Sequence, residues 1–68
     1  MKDLAKVLGA NIRAKRKVLG VAQDVLALEC GLDRSYMGRI ERGEVNITIE
    51  KLYKIAASLN CSPATLLP

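Results

Sequence analysis

Arg34, Ser35, Gly38, Arg39 and Arg42 recur one, three and four residues apart within the run DRSYMGRIERG. On a helix that spacing makes one continuous stripe, with Met37 and Ile40 on the opposite side. A guanidinium group is a planar fork of N–H donors that stays charged throughout the physiological range. Several of them on one face make a surface for a polyanion, most simply nucleic acid. The fork matches O6 and N7 of guanine with two hydrogen bonds and can equally hold phosphate oxygens. Other chemistry is thinly provided. There is no histidine, and the two cysteines, Cys30 and Cys61, lack a CxxC spacing. A zinc site, which normally takes four Cys or His ligands, therefore has no ligand set. No nucleophile stands with a plausible base, and no Gly-rich loop could cradle a phosphate. No enzyme activity, metal or cofactor is expected.

The charge distribution agrees with a polyanion partner. Of the 68 residues, 11 are Lys or Arg and 7 Asp or Glu, for a net charge of +4. Residues 1–43 hold nine basic and five acidic residues, and residues 44–68 hold two of each, so all the excess lies in the first two thirds. A basic face of this kind draws polyanions. Half of the residues are hydrophobic, yet Phe and Trp are absent and Tyr36 and Tyr53 are the only aromatics, so the core must be aliphatic. No apolar run approaches the ~18 residues of a membrane span. Without a signal peptide the chain is expected in the cytoplasm, where thiols stay reduced and a cysteine behaves as a small buried hydrophobe. A domain this small hides only about 60% of its unfolded surface, so a second subunit is the stabiliser to look for.

Helical periodicity runs through the whole chain and nothing reads as a strand. The first helix is predicted from about Asp3 to Leu19, with Leu4, Leu8, Ile12 and Leu19 at helical spacing and Ala5 and Val7 widening the stripe. Asp3 suits its start, the cluster Arg13, Lys15, Arg16 and Lys17 suits its end, and Gly20 stops it. The second helix, about Gln23 to Cys30, has Val25, Leu26 and Cys30 as inward candidates. Asp33 is a good N-cap for a third helix, about Arg34 to Arg42, which Gly43 closes. Thr48 caps a fourth, about Ile49 to Leu59, with Ile49, Leu52, Ala56 and Leu59 on one face. Ser62 and Pro63 read as cap and first position of a final turn.

The three residues Gly31-Leu32-Asp33 are too few to let the second and third helices lie side by side. They force a steep crossing, which is helix-turn-helix geometry. Gly31 sits where the chain reverses and positive φ is favoured. Ala27 lies at the crossing, where a small side chain lets the backbones approach, and Leu26, Leu32, Met37 and Ile40 point to the shared interior.

The run QDVLALECGLDRSYMGRIERG, together with Leu52, Ala56 and Leu59 beyond it, resembles the phage-repressor and Cro-like (XRE-type) helix-turn-helix regulators of bacteria. The stretch LDRSYMGRIERGEVNIT is similar to the small controller proteins of restriction–modification systems. The resemblance spans Ile12 to Leu67. It implies an all-α, five-helix, lambda-repressor-like domain over residues 1–68, with the helix-turn-helix at 23–42 and a dimerisation region at 59–68. It further implies duplex DNA as the partner, with RNA polymerase either blocked or recruited. Gln23 matches a glutamine that holds a phosphate. Arg34, Ser35, Gly38 and Arg39 match the base-reading face, with Arg34 and Arg39 the side chains best suited to reading. Tyr36 and Arg42 flank that face as phosphate contacts, and Asn46 and Thr48 match a loop that approaches the DNA backbone. Arg16 and Glu41 match a structural salt bridge between the first helix and the end of the third.

Some positions depart from the pattern. Ala22 stands where Ser or Thr usually caps the second helix, weakening its start by about 0.5–2 kcal/mol. Ile47 stands where proline is frequent. Gly38 replaces a common serine, and glycine inside a helix costs about 1 kcal/mol. One recognition helix contacts too few base pairs to single out an operator, so a homodimer on an inverted repeat is expected. Val45, Ile47, Leu59, Pro63, Leu66 and Leu67 supply its candidate interface. Two other readings stay open: an antitoxin-type module whose main target is a protein, and a DNA-binding fragment of a larger protein.

Overall fold

Each of the first four helices ends at a residue with positive φ: Gly20, Gly31, Gly43 and Asn60, at 70°, 69°, 75° and 55°. The computed structural model describes residues 3–68. The helices are α1 (Leu4–Val18), α2 (Gln23–Glu29), α3 (Arg34–Glu41), α4 (Ile49–Ser58) and α5 (Pro63–Leu66). No strand occurs among the described residues. Leu19, Cys30, Arg42 and Leu59 are C-caps rather than helical residues. At the corner after α2, the Leu32 N–H donates to the Ala27 carbonyl at 2.9 Å and the Gly31 N–H to that of Leu28 at 3.1 Å. Those paired bonds satisfy carbonyls that a helix end otherwise leaves without partners. Asn60 builds the same pair after α4, with Cys61 donating to Ala56 at 3.0 Å and Asn60 to Ala57 at 3.2 Å. Asparagine tolerates the left-handed region better than most side chains, so α4 has a stop signal that the sequence reading passed over.

The starts of the helices follow their capping residues. Asp3, Asp33 and Thr48 each accept a hydrogen bond from the amide three residues on, at 3.2, 3.0 and 3.1 Å. Ala22 offers no such bond. Neither does Ser62, whose hydroxyl lies 3.4 Å from that of Thr65 instead.

Ile12, Leu26, Met37, Ile40, Ile55, Leu59 and Leu66 are fully buried, and each contributes about 1.5–3 kcal/mol by leaving water. Both α1 and α2 pack on α3, while α4 packs on α2 and α5, and α5 returns to α1. There the Asn11 amide donates to the Leu66 carbonyl at 2.9 Å. The crossing of α1 over α3 falls at Gly9, which is buried. A Cβ on Gly9 would land on the backbone carbonyl oxygens of Ile40 and Glu41.

That crossing explains why part of the expected core is elsewhere. The buried line of α1 runs Gly9, Ile12, Arg16, so Leu4 and Leu19, rotated off it, are exposed. On α2 the inward pair is Leu26 and Ala27, and Val25 faces solvent. On α4 the inward residues are Leu52, Ile55 and Ala56, and Ile49 is exposed. The dimer-interface expectation is corrected in the opposite sense. Leu59 and Leu66 are 0% and 1% exposed, because α5 folds back beneath α1 and the end of α4. They are core residues and leave no surface for a partner.

Candidate nucleic-acid interface

The corner at Gly31 and the cap at Asp33 set the direction of α3, and the buried Met37 and Ile40 set its rotation. With that face inside, Arg34, Ser35 and Arg39 are exposed. Together with Gln23 and Arg42 they line a shallow open cleft of about 380 Å³. Gly38 departs from the expected stripe, because it is buried. The Arg42 guanidinium crosses over it: a Cβ on Gly38 would stand 3.0 Å from Arg42 Nη1 and 3.6 Å from Gln23 Oε1.

Arg42 is held there by a residue that sequence reasoning missed. Its Nε donates to Glu44 Oε2 at 2.7 Å, and Arg39 Nε lies 3.8 Å from Glu44 Oε1. The hydrogen bond from Arg42 keeps the Glu44 carboxyl below the usual carboxylate range, and the same bond raises the pKa of Arg42. All three side chains are about half exposed. The available signal was an acid two residues after a basic one, across a glycine corner. Among the described residues, Arg13 and Arg34 have no carboxylate partner.

One turn back along α3 the same two residue types meet under cover. Arg16 reaches from α1 and donates from Nε to Glu41 Oε2 at 2.8 Å and from Nη2 to Glu41 Oε1 at 3.0 Å. Arg16 Nη1 donates to the Val21 carbonyl at 3.0 Å. Gln23 Nε2 donates to Glu41 Oε1 at 3.1 Å. This ties the start of α2 to the end of α3 and leaves one amide hydrogen of Gln23 for another acceptor. Every buried side-chain N or O among the described residues has a partner. The hydrogen bond to Glu41 holds the Arg16 pKa above its ordinary value against the opposing effect of burial.

The remaining candidates lie around this centre. Tyr36 is half-buried against the core, with Lys51 Nζ 4.8 Å from its ring centroid and 3.5 Å from its hydroxyl. Thr48 uses its hydroxyl oxygen as the cap of α4 and keeps its proton for another acceptor. Asn46 is exposed on the loop between α3 and α4. It borders an apolar cavity of about 160 Å³ lined also by Leu4, Leu8, Val45, Ile47 and Leu67. Leu67 also borders a second apolar hollow with Ile49, Tyr53 and Pro63.

Residues 12–66 match the HTH_3 family, described as helix-turn-helix. The chain belongs to this XRE-type helix-turn-helix family of DNA-binding transcriptional regulators. Among individual relatives, it is similar to control protein C.SmaI of Serratia marcescens, at 38% identity over 96% of this chain and 77% of that one. Its fold is similar to the restriction–modification controller protein C.AhdI of Aeromonas hydrophila, with a TM-score of 0.89 and 36% identity over 93% of this chain and 96% of that one. It is also similar to the P22 c2 repressor protein, solved with a synthetic operator, with a TM-score of 0.83 and 34% identity over 90% and 92% of the two chains.

Proposed function

We propose that the protein binds duplex DNA sequence-specifically as a homodimer on an inverted-repeat operator and thereby controls transcription, as a controller or repressor of the kind its relatives' names describe. The observation that carries this reading is the exposed set Arg34, Ser35 and Arg39 on α3, aimed outward by a buried opposite face and a glycine corner. Arg34 and Arg39 read base edges, each good bidentate contact adding about 1–3 kcal/mol of discrimination. Gln23, Tyr36, Arg42, Asn46 and Thr48 hold phosphates and set the register.

Pairing uses the apolar end of the molecule. Ile49, Tyr53 and Leu67 are exposed there, next to half-buried Val45, Ile47 and Pro63, so the two core leucines drop out of the interface and the rest of it stays. A two-fold pair places the two α3 helices on half-sites about 34 Å apart. Selection of bound sites from a random duplex library tests this directly. The winners are expected to share a motif repeated with two-fold symmetry. Winners with no common sequence, or with a single unrepeated motif, would refute sequence reading or pairing respectively.

A further inference from the structure

The face beside the recognition stripe carries a second cleft. It is lined by Arg13, Gln23, Gly38, Glu41 and Arg42, so α1 contributes to it as well as α2 and α3. Its volume is about 440 Å³, and it opens to solvent. The charge inside it is one-sided. Both oxygens of Glu41 already accept from Arg16, and one also accepts from Gln23, so its negative charge is neutralised from below. Arg13 is exposed and has no carboxylate partner among the described residues. Arg42 is laid across Gly38 by Glu44, which takes Nε and leaves Nη1 over the glycine, beside the Gln23 amide. A Cβ at position 38 would crowd that nitrogen at 3.0 Å. A glycine inside a helix thus has a local reason, since it is the floor on which the guanidinium rests.

We propose that this cleft is a seat for one phosphate of the DNA backbone, held between Arg13 and Arg42 with the free hydrogen of the Gln23 amide as a third donor. The seat rests on the reading of the protein as a duplex-binding regulator and adds to it a contact from α1 and a positioning role for Gly38. Two guanidinium forks and an amide lining one cleft suit a tetrahedral oxyanion. Because a phosphate carries no sequence information, the seat acts on affinity and register and leaves base preference alone.

The test compares Arg13→Gln with Lys54→Gln, which removes one charge from the exposed face of α4, and measures binding to short duplexes of several sequences over a range of salt. The Arg13 side chain makes no hydrogen bond among the described residues, so its variant should melt like wild type. The expected result for Arg13→Gln is the same fold-loss of affinity on every sequence, with the log–log salt slope shallower by about 0.9 for each bound protomer. Lys54→Gln should leave the slope as it is. Gly38→Ala supplies a second reading: the added Cβ pushes Arg42 aside, so affinity falls while the melting temperature rises, because alanine favours helix over glycine. A slope unchanged by Arg13→Gln, or changed equally by Lys54→Gln, overturns the seat while leaving duplex binding intact. A wild-type protein that ignores duplex DNA at low salt overturns the reading of function, and the seat with it.

Discussion

Two arginine–glutamate pairs stand side by side at the end of α3, and they have opposite properties. Arg16 and Glu41 are covered, with side chains 11% and 2% exposed, while Arg42 and Glu44 are 60% and 48% exposed. Their shortest contacts are nearly the same, 2.8 and 2.7 Å. Solvent is what separates them. Under cover, the two charges depend on each other and on the Val21 carbonyl and Gln23 amide that complete their hydrogen bonds. In water the pair is screened and exchanges partners at little cost, so Arg42 can leave Glu44 for a phosphate. One geometry thus serves as a fixed joint in the first place and as a releasable latch in the second.

The largest effect is expected at the joint. Arg16→Ala leaves the Glu41 carboxylate buried without its cation, and breaking such a pair costs about 3–5 kcal/mol. Urea denaturation should show that loss before any change in DNA recognition appears. If the variant melts like wild type and loses only DNA affinity, the two pairs do not differ as argued. Next comes Gly9→Ala. Gly9 lets α1 approach α3 closely enough for Arg16 to reach Glu41, and the new Cβ would strike backbone oxygens, which cannot swing away. Overpacking of this kind costs about 1–3 kcal/mol, against the gain in helix propensity. A more stable Gly9→Ala protein would show that the crossing has slack.

Gly9 also marks what could be read in the sequence. Periodicity places the first four helices and Ser62-Pro63 the final turn, because caps such as Asp33 and stops such as Gly31 act through backbone bonds local to the chain. The outward direction of Arg34 and Arg39 followed from the same periodicity. The reading went astray where an outcome depends on a crossing between helices. Nothing in the neighbourhood of Gly9 says that another backbone will touch it, and the buried line of α1 could not be located without that contact. Leu66 lies in a four-residue helix, too short for periodicity to distinguish inside from outside, which is why it reads as an interface residue. Glu44 was passed over because its partners come together only after the chain turns at Gly43.

At the latch the comparison turns from stability to recognition. Arg34→Ala should remove about 1–3 kcal/mol of discrimination at one position of each half-site, whereas Arg42→Ala should weaken all sequences alike. Competition binding against a panel of single-base variants separates the two. Equal losses across the panel for both variants would remove Arg34 from base reading. Glu44→Gln should act in the other direction. It frees Arg42 and Arg39 from an anion that competes with phosphate, so binding to unrelated duplexes tightens and the salt slope steepens, with the melting temperature at neutral pH nearly unchanged. The folded-state carboxyl of Glu44 titrates below its ordinary value of 4.5. Its contribution to stability is therefore present above that pH and lost as pH falls through the lowered value. In acid, Glu44→Gln should lose less stability than wild type does.

The smallest effect comes from a third ionisable group, which is buried with no opposite charge bonded to it. Cys30 is 5% exposed, and its thiol lies 3.7 Å from the Ser58 hydroxyl. Burial pushes the thiol pKa up, against a smaller lowering by Ser58. A raised folded-state value means that stability is fully present below the unfolded value of about 9.0 and declines as pH rises through the folded one. Above both, each unit of separation amounts to about 1.4 kcal/mol. Cys30→Ala should carry a constant packing deficit at neutral pH that narrows above pH 9.0, because only wild type then has a thiolate to bury. Melting curves that stay parallel through that range would mean that the thiolate finds solvent or a cation when it forms. Burial at Cys30 would then not select the neutral form, and the contrast drawn between Glu41 and Glu44 would need more than solvent exclusion to explain it.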